Sequence, residues 1–300
     1  MKIIKNSTIP ICLALGFFDG VHLGHRDIIK MAIKKAKEET GLNLEAKSCV
    51  LTFSNNPLSS SKLIYPFKER LKLFEKLGAD FCYHFELDDK WKSLNANQFL
   101  EYLVSNFNIH AFVCGEDYRF GKNSAGDIFH LKEFASERGI DVNVVKHKTL
   151  DKKQKISSTQ IRKFIQDGEI ETTNILLGEN YFMKGEVIKG CQRGRRMGLP
   201  TLNIRIMPDI VQLKDGVYRT QTTIEEKKYL SLTHIGKNKT FNSNETTCET
   251  YVPNEDLGEK YGMEIKVEFI SRLRETIKFS SPQELINHIK MIDMGFQPSF

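Results

Sequence analysis

Three hundred residues with 40% hydrophobic content can core two domains, and a formal charge of +6 is too modest to demand a nucleic-acid partner while it suits small anionic substrates. Six cysteines without a CxxC pair imply neither a disulfide framework nor a zinc site and fit a reducing, cytoplasmic compartment. The opening MKIIKNSTIPICLALG is too short to span a membrane and lacks the small-residue cleavage site of a secretory signal.

In chain order, ICLALG and SCVLTF are short continuous apolar runs, as strands buried on both faces should be. Between them Ile29, Ala32, Ile33 and Ala36 share one helical face. KERLKLFEKLG predicts a helix that buries Leu71, Phe74 and Leu77 and stops at Gly78. FCYHFE and HAFVCG read as strands flanking a helix with Phe99, Leu100, Leu103 and Phe107 on its apolar face. IFHLKEFASERG and DVNVVKH add one more helix and strand. Such alternation predicts a doubly wound α/β domain with a parallel sheet, with ligands beyond the carboxyl ends of its strands. NNPLSSSK and FGKNSAGD read as polar loops that could act as lids. The basic stretch KHKTLDKKQK reads as a solvated loop.

Beyond residue 178 helical periodicity gives way to YFMKGEVIKG, GVYRTQTTI, KKYLSLTHIG, TTCETYV and MEIKVEFI, separated by turn residues. These predict an antiparallel barrel or sandwich. SPQELINHIKMIDM then predicts a terminal helix with Ser281 near its N-cap and Pro282 in its first turn. The boundary is expected near residues 178 to 181, giving domains over 1–179 and 180–300.

The stretch GFFDGVHLGH sits where the first apolar strand feeds a helix. Free N–H groups and the helix dipole make such a junction an anion site, and Gly16, Gly20 and Gly24 let a phosphate chain approach the backbone. His22 and His25, three apart, fall on one side of a helical turn and can donate to phosphate oxygens as charge develops there. A zinc role is disfavoured because no further ligand set accompanies the pair. ISSTQIR offers a second helix start, with Ser157 or Ser158 as cap, and by itself it reads as an ordinary N-cap followed by a solvent-facing Arg162.

HLGH followed by this SST-x-x-R segment resembles the nucleotidyltransferase superfamily. The ordered set LGFFDGVHLGH, LTFSNNP, VCGEDYRFGKNSAGD and ISSTQIR, continued by GRRMGLPTLNI, GVY, HIGKNKTF, CETYV and YGMEIKVEFISRLR, resembles bacterial bifunctional riboflavin kinase/FAD synthetases over nearly the whole chain. The resemblance implies a Rossmann-like N-terminal domain that transfers AMP from ATP to FMN and a C-terminal β-barrel that phosphorylates riboflavin. It implies that His22, His25 and Arg162 stabilise the ATP phosphates. Gly16, Phe17, Gly24, Gly115, Asp117, Ser157, Ser158 and Thr159 would line the ATP side, and Phe53, Asn56, Pro57 and Phe120 the flavin side. In the barrel, Thr201 and Asn203 would hold Mg2+ with ATP, and Glu249 would act as base. No nucleic-acid or membrane partner is implied.

Departures from the family pattern stand at Asn56, Leu202, His234, Lys239 and Tyr251. They leave one alternative open: an FAD synthetase whose kinase-like domain is inactive or impaired. A non-catalytic flavin- or RNA-binding sensor has only the basic stretch in its favour, and a tRNA synthetase lacks any recognisable anticodon-reading segment.

Overall fold

The computed structural model describes residues 1–41, 45–56, 61–150, 154–190, 200–237, 246–253, 255, 257–277 and 284. By its internal contacts the chain divides into two units, Met1–Ile161 and Arg162–Phe300.

The first unit runs β1 (Lys2–Ile3), β2 (Ser7–Leu15), α1 (Leu23–Gly41), β3 (Lys47–Phe53), α2 (Phe67–Leu77), β4 (Phe81–Phe85), α3 (Asp89–Ser93), α4 (Ala96–Asn106), β5 (Phe107–Gly115), α5 (Ile128–Ser136), β6 (Asp141–Val145) and a hairpin of β7 (Thr149–Leu150) and β8 (Gln154–Lys155). The helix α6 (Ser158–Asp167) follows, and the contact boundary falls inside it. The six-stranded sheet has the order β1-β4-β3-β2-β5-β6, and every pairing in it is parallel. Ile11 through Leu15 are buried without alternation, which is what helices on both faces of a parallel sheet require. The doubly wound architecture is therefore the expected one.

Two helices differ in detail from their sequence periodicity. On α2 the buried positions are Glu69, Arg70, Leu73 and Phe74, while Leu71 and Leu77 are half-buried. Steps of three residues drift about 60° per step around a helix that advances 100° per residue, so the 71-74-77 series leaves the core face. Gly78 does end this helix, in the left-handed conformation with φ 92°. The helix α4 is opened by a capping box of Asn95 and Gln98 and stops at Asn106. Phe107 is extended and begins β5, where it is buried in the same cluster as Phe99, Leu100 and Leu103.

The second unit contains α7 (Ile170–Leu177), β9 (Phe182–Ile188), β10 (Thr201–Ile204), β11 (Gly216–Ile224), β12 (Lys227–Lys237), β13 (Thr246–Tyr251) and β14 (Glu264–Arg274). These six strands close into an antiparallel barrel of order β10-β13-β12-β11-β14-β9. Side chains alternate between a buried interior and a half-exposed outer face along β10, β11 and β13. The Asn174 amide on α7 docks that helix to the barrel, donating to Phe269 O at 2.9 Å and accepting from Tyr181 N at 2.7 Å. The expected terminal helix falls outside the described residues apart from Glu284, and Cys191 and the run 194–198 lie outside them too.

Part of the barrel interior is hydroxylic. Thr220, Thr222, Ser231, Thr233 and Thr250 are fully buried. They satisfy one another in a chain: Thr222 to Ser231 at 2.7 Å, Ser231 to Thr220 and Thr220 to Thr233 at 2.8 Å, and Thr233 to Thr250 at 2.9 Å. Thr233→Val removes the links to Thr220 and Thr250 and leaves the Thr250 hydroxyl short of a partner. Urea unfolding of this variant is expected to show a loss of about 1–2 kcal/mol.

Candidate active sites

In the first unit β3 lies on one side of β2 and β5 on the other, so β2 and β5 flank the point where the winding direction reverses. The turn leaving β2 is tight: Phe18, Gly20 and Val21 all have positive φ, at 56°, 81° and 45°. A side chain at Gly20 would also press on Ile64. The buried Asp19 carboxylate pins this turn by accepting from Ile64 N at 3.1 Å and Tyr65 N at 3.3 Å.

His22 caps α1. Its Nδ1 accepts from the His25 amide at 3.3 Å, and its carbonyl accepts from Arg26 N at 2.9 Å. With Nδ1 accepting, the proton of the neutral ring is assigned to Nε2, which is then a donor. The two imidazoles stack with centroids 3.5 Å apart and 20° between planes. Burial pushes the His22 imidazole down to about 4, and the Lys155 ammonium acts in the same direction. His22 is thus a neutral hydrogen-bond donor near pH 7.

A stability consequence follows with a defined sign. The unfolded chain protonates His22 near its ordinary 6.5, whereas the folded protein resists until about 4. Stability is intact above pH 6.5 and is lost as pH falls from 6.5 toward 4, by up to about 3 kcal/mol. Thermal melts across this window are expected to show the loss, and His22→Asn, which keeps an acceptor at the cap, is expected to flatten it.

The facing wall comes from the ends of β5, β6 and β8 and from the start of α6. A cavity of about 220 Å3 brings together His22, Gly24, His25, Gly115, Asp117, Ser157 and Ser158 of the expected set. Ser157 caps α6, its Oγ accepting from Gln160 N at 3.3 Å. Ser158 Oγ donates to Asp19 O at 2.8 Å and ties this helix start to the first turn. Two helix N-termini therefore converge on one cavity. Thr159 follows in the first turn of α6. Arg162, nearly buried, lies four residues beyond Ser158 on the same helix, in the second contact unit. Gly16 and Phe17 follow the carboxyl end of β2.

Lys146, His147, Lys148 and Lys155, read from the sequence as a solvated loop, line this cavity. The β7–β8 hairpin folds that stretch back, with Thr149 opposite Lys155. Asp117 is ion-paired with Lys155 and has His147 Nε2 at 3.6 Å. Burial pushes the Asp117 carboxyl up, but its bond to Lys155 outweighs that and leaves it below its ordinary value.

Of the residues expected on the flavin side, Phe53 ends β3 with its ring 5.9 Å from Phe17 and 5.0 Å from Phe85. The Asn56 amide donates to Ser61 O. Phe120 is buried among Phe99, Tyr118 and His130. Pro57 lies outside the described residues.

In the barrel, Thr201 and Asn203 are half-buried and share the outer face of β10. Asn203 is registered opposite Glu249, and Glu249 opposite His234, so three polar side chains form a row across three strands. Burial lowers the His234 imidazole from its ordinary value, against the pull of Glu249. Leu202, which the family pattern raises as a bulky departure, is buried and on the opposite face from Thr201 and Asn203. Tyr251 is registered opposite Thr201, and Lys239 falls outside the described residues.

Next to this row, Gly190, Thr201 and Asn203 line a cavity of about 290 Å3. A methyl group at Gly190 would collide with the Asn203 amide. The two oxygen donors suit a hard divalent cation. Among the described residues no group of three or more His, Cys, Asp or Glu could hold a metal, so such a cation would need the oxygens of a phosphate substrate as well. Gly190→Ala is expected to displace Asn203 and to weaken divalent-cation binding at this cavity about tenfold, read in a metal titration.

Known protein families match the two halves of the chain in order. The FAD synthetase family model matches residues 4–160, and the riboflavin kinase family model matches residues 177–293. The bifunctional riboflavin kinase/FMN adenylyltransferase of Bacillus subtilis strain 168 is 33% identical over 96% of this chain and 92% of its own. That of Listeria monocytogenes is 35% identical over 93% of this chain and 88% of its own. A crystal structure of a Streptococcus pneumoniae protein described as a macrolide-efflux protein superposes with a TM-score of 0.86 at 28% identity, covering 97% of each chain. Among the described residues of the present chain no helix is long and apolar enough to cross a membrane. With both domain families matched in order, and relatives above 30% identity over nearly full length, this chain belongs to the bifunctional riboflavin kinase/FMN adenylyltransferase family.

Proposed function

We propose that the chain makes FAD in two ATP-dependent steps: riboflavin is phosphorylated to FMN by a domain over 180–300, and FMN is adenylylated by a domain over 1–179. In the second step an FMN phosphate oxygen attacks the α-phosphorus of ATP. The bond to the β-phosphate bridging oxygen breaks, and pyrophosphate leaves. The nucleophile is already an anion, so alignment and charge stabilisation supply the catalysis. The Nε2 proton of His22, the stacked His25 and the N-termini of α1 and α6 offer donors to the phosphates. Asp117 serves as acceptor toward the nucleoside. Arg162 adds a fixed cation, and Phe53 and Asn56 form the flavin edge.

The kinase step needs a base, because the riboflavin hydroxyl is neutral. Glu249 takes its proton as the oxygen attacks the γ-phosphorus of ATP and ADP departs. Mg2+ neutralises phosphate charge when bound, with Thr201 and Asn203 as its protein oxygens. Five cysteines, Cys12, Cys49, Cys82, Cys114 and Cys248, are buried free thiols, which supports a reducing, cytoplasmic setting.

One observation carries this reading: the convergence of the His22–His25 turn and the Ser157 helix start on a single cavity. Its test is incubation of the purified protein with Mg-ATP and either riboflavin or FMN, with chromatographic separation of products. Both inputs are expected to yield FAD. If FMN alone does, the kinase half is refuted, and if neither does, the whole reading is.

A further inference from the structure

Among the described residues Arg70 is the largest fully buried side chain, at 0% exposure, and the chemistry above does not use it. Its guanidinium fills the space where β2 and β3 part, past their last registered pair, Leu15 and Leu51. Nη1 donates to Phe17 O at 2.8 Å and to Thr52 Oγ1 at 2.9 Å, and Nη2 donates to Phe53 O at 2.7 Å. Thr52 Oγ1 itself donates to Phe17 O at 2.7 Å, which closes a small network between the two strand ends. The guanidinium also lies 4.7 Å over the Phe17 ring.

Three neutral acceptors do not by themselves call for a cation. Among the described residues no carboxylate comes within ion-pair distance of Arg70, and its Nε has no hydrogen-bond partner. Burial lowers its proton affinity to about 10, so it stays charged at neutral pH. Desolvating an unpaired guanidinium is costly, yet a Met of similar length would fill the same space. What Met cannot do is hold two backbone carbonyls from different strands at one separation, which the planar fork does.

We infer that Arg70 is a positioning residue for adenylyl transfer, setting the end of β2 at Phe17 against the end of β3 at Phe53. This rests on the reading of Phe17 as the nucleotide edge and Phe53 as the flavin edge. Arg70 touches neither substrate. It fixes the span between their seats, and a shift of about 1 Å in such a span can cost a hundredfold in rate.

The signature is a fall in kcat without a matching loss of binding. Arg70→Met is expected to lower kcat for FAD formation about a hundredfold, Arg70→Lys about tenfold and Thr52→Val about fivefold. Dissociation constants of the binary complexes, FMN by flavin fluorescence and a non-hydrolysable ATP analogue by calorimetry, are expected to stay within about threefold of wild type. Rates are counted per folded molecule from near-UV circular dichroism. Should Arg70→Met fail to fold, Arg70→Lys and Thr52→Val decide the matter. The inference is overturned if folded Arg70→Lys and Thr52→Val turn over like wild type. It is equally overturned if their losses track weakened binary binding. Wild-type protein that forms no FAD from FMN would instead overturn the reading beneath it.

Discussion

His25→Ala is expected to cut FAD formation from FMN by about 10²–10³-fold while riboflavin phosphorylation stays within twofold of wild type. His25 is half-buried at the start of α1, its ring face-on to His22 and edge-on to Phe18 at 5.3 Å. The position is thus held on two sides before substrate arrives, which is what makes a donor effective in a transition state. His22 is a less clean target, because its side chain also caps the helix, and its loss mixes folding with catalysis. Stopped assays with supplied FMN, and separately with riboflavin, distinguish the two reactions. Equal loss of both in a folded protein would contradict two independent sites.

Glu249→Ala is expected to lower FMN formation from riboflavin by about 10²–10⁴-fold and to leave FAD formation from supplied FMN unchanged. Glu249 is half-exposed on the outer face of β13, between Asn203 and His234 in register. A carboxylate beside the two oxygen donors of β10 stands where a hydroxyl nucleophile bound with Mg-ATP would need its base. Glu249→Gln, of equal size but without basicity, is expected to match the alanine variant. Turnover near wild type in the glutamine variant would remove Glu249 from the base role.

Much of the fold was legible because strands buried on both faces must be continuously apolar, as ICLAL and SCVL are, and barrel strands must alternate, as TLNI does. The two helix starts that line the shared cavity were legible too, since capping chemistry is local: His22 to His25 and Ser157 to Gln160 each span three residues. What local pattern could not reveal were the roles set by distant partners. Asp19 reads as a turn residue until Ile64, 45 positions on, donates to it. Arg70 carries no signal in the helical pattern of its own stretch, because its acceptor, Phe17 O, lies 53 positions back. Lys155 and His147 read as loop charges until the hairpin carries them to Asp117. A basic residue two positions before Ser157 was the available signal for Lys155, and the density of neighbouring lysines concealed it. The effect of Leu202 could be judged only once strand parity turned it away from Asn203.

The most direct test of two separate sites on one chain is the product profile of His25→Ala protein given riboflavin and excess Mg-ATP. FMN is expected to accumulate stoichiometrically with almost no FAD. FAD formed at the wild-type ratio to FMN, or neither product from a folded protein, would contradict the account.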